Sequence, residues 1–383
     1  MGTDRILLDH AASAPLEPLA REALLAALAI PGNPSSAHAE GRLAKAVLED
    51  ARGRVAAVLG CRAREIVFTS SGTLAAQLGL RGVAYARRQV STRVVISGVE
   101  HPCIHEAADD LARDGFDVVR VAPATDGHVD ADSFLEAVGD GAAVAALMLA
   151  NHETGVVNDV AKVGSALRER SIPFLCDACL GPGRVPVTVD AVCADLIALS
   201  GHKLGGPRGV GVLYVRRRTR VHPLWNGGLQ EERLVPGVEN VAGVAGFAAS
   251  LDLVVRETET RAKRYEALLG VLLEKLEGAR PWSRVGAAAP TLPGVATLEV
   301  PAVEGEAAMI NLDLEGVAVA TGSACALGAS LPSPSLQAMG WSPERVARTL
   351  RISIGEGNDD AQMVRAADAI TGVVKRLRAM ARR

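Results

Sequence analysis

A lysine and an aspartate each follow an apolar run that is typical of a buried strand. Lys203 closes the stretch 200–203, and a Gly-rich segment follows at 205–209. A lysine held in such a Gly-rich turn, away from water, can form a Schiff base with a carbonyl group. Asp177 ends the run 173–177, where a carboxylate is costly to bury without a cationic or hydrogen-bonding partner. A protonated ring nitrogen and a structural ion pair would both supply that partner.

The two residues are more informative together. Lys203 follows Asp177 by one strand of a predicted α/β sheet. A lysine that forms an imine and an acid that faces a ring nitrogen are the protein's half of a pyridoxal-phosphate site. The hydroxyl-rich stretch 69–73, which contains Gly72 and Thr73, precedes a helical segment and suits a phosphate at a helix amino terminus. An ordinary serine or threonine cap is the alternative for that stretch.

Two further polar motifs follow strand-like runs. His101 lies in Glu-His-Pro after the run 93–97, and an imidazole there can stack on a flat ring and move protons near pH 7. Asn151 begins a polar motif after the run 144–150. Each motif alone is consistent with an ordinary loop. Because such clusters follow successive strands of one sheet, they predict a ligand site at its carboxyl edge.

A cysteine and an arginine near the end of the chain could act on a bound amino acid. Cys325 lies in a run of small residues at 320–330, which predicts a mobile loop on which a thiol can ionise and attack. A buried inert thiol is the alternative. Arg351 alternates with apolar residues, so an inward-facing side chain would need an anion such as a substrate carboxylate. An outward-facing Arg351 would be a solvated charge.

Short apolar runs that alternate with helical patterns must position these side chains. The strand candidates are 65–69, 93–97, 117–122, 144–150, 173–177, 195–200 and 209–215. Continuous apolar strands separated by helices predict an α/β fold with a mostly parallel seven-stranded sheet that is covered on both faces.

The pattern changes after Gly237. A long helical stretch with a break inside it covers 240–277, a strand is predicted at 295–300, and a final helix at 359–381. We predict a large domain and a smaller α/β domain, over residues 16–250 and over 1–15 with 251–383 respectively.

Composition excludes several classes of protein. The 383 residues are 49% hydrophobic and 22% charged with a net charge of −3, which indicates no basic surface for nucleic acid or anionic membrane. There is no apolar run of about 20 residues and no signal-peptide pattern, so we expect a cytoplasmic protein. The six cysteines do not predict a disulfide framework. Cys176 and Cys179 have CxxC spacing, but no second pair completes a zinc site, and no metal is expected.

Taken jointly, the motifs resemble those of the cysteine desulfurases, the NifS/IscS-like branch of the class V aminotransferase family. The resemblance covers nearly the whole chain, in order. It rests on residues 8–12, 32–38, 100–102, 151–155, 177–178, 200–203, 227–231, 322–325 and 351.

The resemblance implies a fold-type I pyridoxal-phosphate enzyme that forms a homodimer. Its implied cofactor-binding residues are Gly72, Thr73, His101, Asn151, Asp177, Ser200, His202 and Lys203. Lys203, Cys325 and His101 would be catalytic. Cys325 would accept the sulfur of L-cysteine as a persulfide, leaving alanine, and selenocysteine is the other possible substrate. Asn151 and Arg351 would bind the substrate. The small residues around Cys325 resemble the branch that passes sulfur to an acceptor or iron–sulfur scaffold protein.

Several positions depart from the family pattern. Leu74 stands where the family has Glu, and Leu180 where it has a Gln that bonds to the phenolic oxygen of the cofactor. Val238 replaces a Thr that reaches the phosphate of the neighbouring subunit, and the residues after Gly355 are unusual. Because hydrogen bonds to a charged group are lost, we predict a cofactor that dissociates more readily than in typical members.

Two other functions stay open at this point. Leu74 and Leu180 are compatible with another pyridoxal-phosphate reaction, such as selenocysteine lysis, β-elimination or transamination. A degenerate homologue could instead serve as a sulfur-relay subunit. The presence of both Lys203 and Asp177 favours an enzyme over that alternative.

Overall fold

The structure, a computed structural model, describes residues 5–326 and 329–381, and side chains within them except at 323–332. Its helices are α1 (Pro18–Leu28), α2 (Ala39–Leu59), α3 (Gly72–Arg87), α4 (Pro102–Arg113), α5 (Ala131–Val138), α6 (Val160–Glu169), α7 (Val189–Val192), α8 (Val241–Arg256), α9 (Thr258–Lys275), α10 (Gly305–Leu314), α11 (Pro334–Ala338), α12 (Pro343–Val346) and α13 (Asp360–Ala381). Its strands are β1 (Ile6–Leu7), β2 (Ile66–Thr69), β3 (Arg93–Ser97), β4 (Asp117–Val121), β5 (Val144–Ala146), β6 (Phe174–Asp177), β7 (Leu196–Ser200), β8 (Gly211–Val215), β9 (Ser283–Arg284), β10 (Val295–Glu299), β11 (Val317–Ala318), β12 (Ser323–Ala326), β13 (Ala329–Pro332) and β14 (Thr349–Ser353). Within these ranges, no helix is both long enough and apolar enough to cross a membrane.

Seven strands form the main sheet in the order β2-β8-β7-β6-β5-β3-β4. The strands β3 to β7 pair in parallel, and β8 is antiparallel to both of its neighbours. The predicted α/β fold with a mostly parallel seven-stranded sheet is confirmed. Phe174 and Cys176 of β6 enter one core and Leu175 enters the other. Both faces are therefore covered, which explains why the central strands β5, β6, β7 and β8 are almost entirely apolar.

A second, smaller unit surrounds the antiparallel sheet formed by β9, β10 and β14. Leu269 of α9, Ile352 of β14 and Ile370 of α13 share its core. The first strand β1 pairs in parallel with β11, and Ile6 enters the same core. Helix α8 runs through the predicted domain boundary at residue 250 and packs on the main sheet through Val254. That boundary stays a prediction.

Two features of the C-terminal half bear on the sequence predictions. The predicted break in the helical stretch lies at Glu257, between α8 and α9. The backbone around Cys325 differs from the predicted loop, because β12 and β13 form an antiparallel hairpin in which Cys325 lies opposite Ser330. A run of small residues without apolar alternation carries no strand signal, which explains why the sequence did not predict these two strands. The mobility of this segment stays a prediction.

Candidate active site

The carboxyl ends of β6 and β7 bring the predicted aspartate and lysine to one edge of the sheet. Asp177 ends β6, opposite Ala198 of the parallel strand β7. β7 ends at Ser200, and a 3-10 turn over Gly201–Lys203 follows it directly. Parallel neighbours end at the same edge, so the two functional side chains lie beside one opening.

A cleft of about 370 Å³ lies at this edge. It is lined by Ala11, Ala12, Ser71, Gly72, Thr73, His101, Cys103, His152, Asp177, Cys179, Ser200, His202, Lys203 and Arg351. The structure thus brings together all of the predicted site residues whose side chains it describes, with the exception of Asn151.

One end of the cleft is the amino terminus of α3. The Ser71 hydroxyl oxygen accepts a hydrogen bond from Leu74 N at 3.2 Å, and the first helical bond runs from Ala75 N to Ser71 O at 3.1 Å. The N–H groups of Gly72 and Thr73 precede that bond, so the helix itself gives them no acceptor. Donors at a helix amino terminus, together with the hydroxyls that line the cleft, suit a phosphate.

Two imidazoles lie side by side in the cleft. His101 caps α4, and its Nδ1 accepts a hydrogen bond from Cys103 N at 3.2 Å, which leaves the proton on Nε2. Burial, assisted by the Lys203 cation, lowers the pKa of His101 to about 4. The His152 ring lies 5.0 Å from it between centroids, and burial holds the pKa of His152 well below its usual value. Both rings are therefore neutral at pH 7.

Glu100 directly precedes His101 in the chain, and 1% of its surface is exposed. Its Oε1 accepts hydrogen bonds from the Ser97 hydroxyl at 2.6 Å and from Met148 N at 2.7 Å. Its Oε2 is buried and has no partner among the described residues. Burial raises the pKa of Glu100 to about 8, and the nearby Asp177 charge acts in the same direction. The neutral carboxyl joins β3 to the end of β5 and so supports the turn that carries His101.

Asn151 is placed differently from the prediction. Its Nδ2 donates to Val99 O and to the Ser335 hydroxyl, each at 2.9 Å. Its Oδ1 accepts from Glu153 N at 3.0 Å and from Thr154 N at 2.9 Å. The amide thus braces the loop after β5, and its role toward cofactor or substrate stays a prediction.

Arg351 faces inward from β14, as one of the two sequence interpretations requires. Its Nη2 donates to Asp9 Oδ1 at 2.7 Å, and its Nη1 donates to the His152 carbonyl oxygen at 3.1 Å. Its Nε is buried and has no partner among the described residues. A donor therefore stays available for an anion in the cleft.

Sequence reasoning did not assign His152, Cys103 or Ala12 to the site. His152 stands next to Asn151 in the same motif, and the sequence does not indicate which of the two faces the cleft. Burial raises the pKa of the Cys103 thiol to about 12 and that of Cys179 well above its usual value. Neither thiol is a nucleophile at neutral pH. The side chain of the predicted nucleophile, Cys325, lies outside the described residues.

A mostly parallel seven-stranded sheet with a lysine, an aspartate and a helix amino terminus at its carboxyl edge defines an α/β enzyme of the pyridoxal-phosphate class. The chain belongs to the aminotransferase class-V family, whose model matches residues 6–365.

Comparison with known proteins agrees with this membership. The chain is 36% identical to "Putative cysteine desulfurase IscS 1" of Bacillus subtilis (strain 168), over 98% of this chain and 100% of that one. It is 33% identical to "Cysteine desulfurase IscS" of Dictyoglomus turgidum, over 97% and 95%. Among solved structures, a "NIFS-LIKE PROTEIN" matches with a TM-score of 0.90 and 27% identity over 97% and 99% of the two chains. "SspA in complex with cysteine" matches with a TM-score of 0.79 and 28% identity over 92% and 99%.

The cleft fits pyridoxal 5'-phosphate, the cofactor of this type of class-V protein. A Cβ added at Gly72 would lie 2.8 Å from both Cys179 Sγ and Ser200 Cβ, so only glycine leaves this close approach intact. Asp177 Oδ1 accepts a hydrogen bond from Cys179 N at 3.0 Å, which fixes the carboxylate that would pair with a ring nitrogen of the cofactor. Lys203 supplies the amine. The donor set therefore matches the phosphate, the ring and the aldehyde of the cofactor.

Proposed function

We propose that the protein is a pyridoxal-phosphate-dependent cysteine desulfurase that converts L-cysteine to L-alanine. The observation that carries the proposal is the convergence of Lys203, Asp177 and Arg351 on one cleft. The desulfurase names of full-length relatives support the choice of substrate.

The role of each residue in the cleft follows from its chemical group. When bound, the cofactor acts as an electron sink for the bonds at the α-carbon of the amino acid. Lys203 holds the cofactor through its ε-amine and moves protons at Nζ, and Asp177 keeps a proton on the ring nitrogen. The neutral His101 carries a proton on Nε2, which it can donate in a hydrogen bond to a group bound in the cleft. Arg351 binds the substrate carboxylate, and Gly72, Thr73, Ser200 and His202 hold the phosphate.

Cys325 accepts the sulfur. Its thiolate attacks the sulfur of cysteine, an S–S bond forms as the C–S bond breaks, and a proton added to the carbon completes alanine. The persulfide on Cys325 then passes sulfur to an acceptor, such as an iron–sulfur scaffold protein. The position of Cys325 on a hairpin of small residues supports this role. The cytoplasmic location stays a prediction.

The protein is a homodimer in this proposal. The apolar side chains of Trp225, Leu229 and Val238 are exposed, and Trp225 and Val238 line a second cleft of about 430 Å³. That cleft also contains Thr69 and Ser70, next to the amino terminus of α3. A second copy that covers this surface would lie beside the phosphate end of the active site.

The proposal is tested by product analysis. Purified protein with L-cysteine and a dithiol reductant is expected to release sulfide and alanine in equal amounts. Cys325→Ala should lose sulfide formation by at least about a hundredfold, because the two thiols that line the cleft among the described residues, Cys103 and Cys179, are protonated at neutral pH. Lys203→Ala should lose the visible absorbance of bound cofactor. A Cys325→Ala protein that releases sulfide at the wild-type rate would contradict the desulfurase assignment.

A further inference from the structure

The segment 9–14 near the amino terminus forms one wall of the active-site cleft. Ala11 and Ala12 line the cleft. Ala11 N donates to the Ser353 hydroxyl at 2.9 Å, and Ala14 N donates to the His202 carbonyl oxygen at 2.8 Å. The segment is thus fixed between β14 and the turn that carries Lys203.

Asp9 is the first residue of this segment, and its carboxylate accepts a hydrogen bond from the Arg351 guanidinium group. Asp9 Oδ1 lies 2.7 Å from Arg351 Nη2, and the two side chains are 26% and 11% exposed. Among the described residues, Asp9 is the one carboxylate in an ion pair with Arg351. The unpartnered Nε lies on the guanidinium beside the occupied Nη2 group.

Two other carboxyl groups near Arg351 act on it less directly than Asp9 does: among the described residues neither Asp177, which lines the cleft, nor Glu153, which is about half ionised at pH 7, makes an ion pair with Arg351. Burial raises the pKa of Glu153 to about 7 and lowers the pKa of His10 to about 4. His152, whose carbonyl oxygen accepts from Arg351, is also neutral at pH 7 because burial lowers its pKa. Lys203 is the other cation that lines the cleft. Asp9 is the carboxylate in direct contact with Arg351, so its charge has the largest effect on how strongly Arg351 attracts a further carboxylate.

We propose that Asp9 sets the affinity of the cleft for the carboxylate of an amino acid. Asp9 orients Arg351 through Nη2, and its charge opposes the arrival of a second carboxylate at the remaining donors. The inference rests on the proposed role of Arg351 in carboxylate binding. Asp9 is a positioning residue, since it acts on the ligand through Arg351. An affinity lowered in this way favours release of alanine, which carries the same carboxylate as cysteine.

The test is the affinity of the holoenzyme for L-alanine, measured by calorimetry. In Asp9→Asn the amide oxygen still accepts from Nη2 while the charge is lost, so L-alanine should bind about tenfold more tightly. Binding of ethylamine, which lacks a carboxylate, should be unchanged. Asp313→Asn, which removes an equal charge from an exposed pair with Arg5, should bind L-alanine as the wild type does.

Equal or weaker binding of L-alanine by Asp9→Asn would overturn the inference. If that variant does not fold, as judged by thermal melting, Asp9→Ser removes the same charge and carries the same expectation. Arg351→Gln separates this outcome from failure of the proposed function. If Arg351→Gln binds L-alanine as tightly as the wild type, the carboxylate does not bind at Arg351, and the role assigned to Arg351 is wrong.

Discussion

Glu100 shows how the charge of a single buried side chain depends on its surroundings. Its carboxyl group accepts two hydrogen bonds through Oε1, yet burial raises its pKa to about 8. In the unfolded chain the same group ionises near its usual pKa of about 4.5. Between these two values the folded state binds the additional proton, so stability falls as pH rises.

Glu100→Gln should remove this pH dependence. Within the window from about pH 4.5 to 8, each unit lowers the free energy of unfolding of the wild type by up to about 1.4 kcal/mol through this group. The variant should therefore gain stability relative to the wild type from pH 5 to pH 8 in urea unfolding. Glu274→Gln, at an exposed position on α9, is the control and should follow the wild-type curve. Parallel curves for Glu100→Gln and the wild type would show that Glu100 is ionised in the folded protein.

The types of the site residues were predictable from the sequence, but not all of their orientations. Lys203, Asp177 and Arg351 stand out because charged groups at the ends or inner faces of apolar strands need partners. Asn151 and His152 are adjacent and equally polar, and only the fold determines that the imidazole faces the cleft while the amide braces its loop. Asp9 gives no sequence signal for its pairing with Arg351, because the partners are far apart in the chain.

At the scale of elements, the approach of α3 to β7 shapes the phosphate end of the cleft. Gly72 lies where a Cβ would contact Cys179 and Ser200 at 2.8 Å, so a larger residue must push the start of α3 away. Gly53 in α2 offers a matched case, since a Cβ there would meet nothing within 4 Å.

Gly72→Ala should weaken cofactor binding by about tenfold, equivalent to ~1.4 kcal/mol, because the helix amino terminus loses its position. The measurement is the cofactor retained after dialysis, followed by visible absorbance. Gly53→Ala should retain cofactor as the wild type does and stabilise α2 by up to about 1 kcal/mol. Equal retention by both variants would show that the close approach at Gly72 is not needed.

The central main-sheet strands such as β6 and β7 were predictable because they are apolar runs with both faces buried, whereas the edge strand β4 is exposed at Asp117 and Arg120. The hairpin of β12 and β13 was not, because its residues are small and its pairing is a backbone property. The domain boundary was placed within α8, whose apolar sequence continues on both sides of residue 250. The local sequence pattern therefore predicts individual helices and strands better than it predicts domain boundaries.

At the scale of the whole molecule, the exposed apolar surface supports association with a second copy. Leu229, which is 71% exposed, lies four residues after Trp225 of the second cleft, whereas Leu314, which is 82% exposed, lies at the end of α10 in the smaller unit. Substitutions at the two leucines therefore distinguish a specific dimer interface at Leu229 from a general effect of exposed apolar surface.

Leu229→Asp should shift the protein from dimer to monomer in sedimentation velocity, because burial of a charge in an apolar interface is costly. It should also lower cofactor retention if the partner covers the phosphate end of the cleft. Leu314→Asp should stay dimeric. A wild-type protein that sediments as a monomer at micromolar concentration would contradict the homodimer proposal.

Because β1 pairs with β11, the first strand of the chain can find its partner only after residue 317 has been synthesised. Ile6, near the start of the chain, pairs with Val317, and Arg351 comes later still. During synthesis on the ribosome, the main sheet can form before Arg351 and Ser353, the partners of Asp9 and Ala11, have been made. A nascent chain therefore has Lys203 and Asp177 in place before it can bind an amino acid carboxylate. A chain that ends before β14 would contain Lys203 and Asp177 but would lack Arg351, the residue proposed to bind the substrate carboxylate.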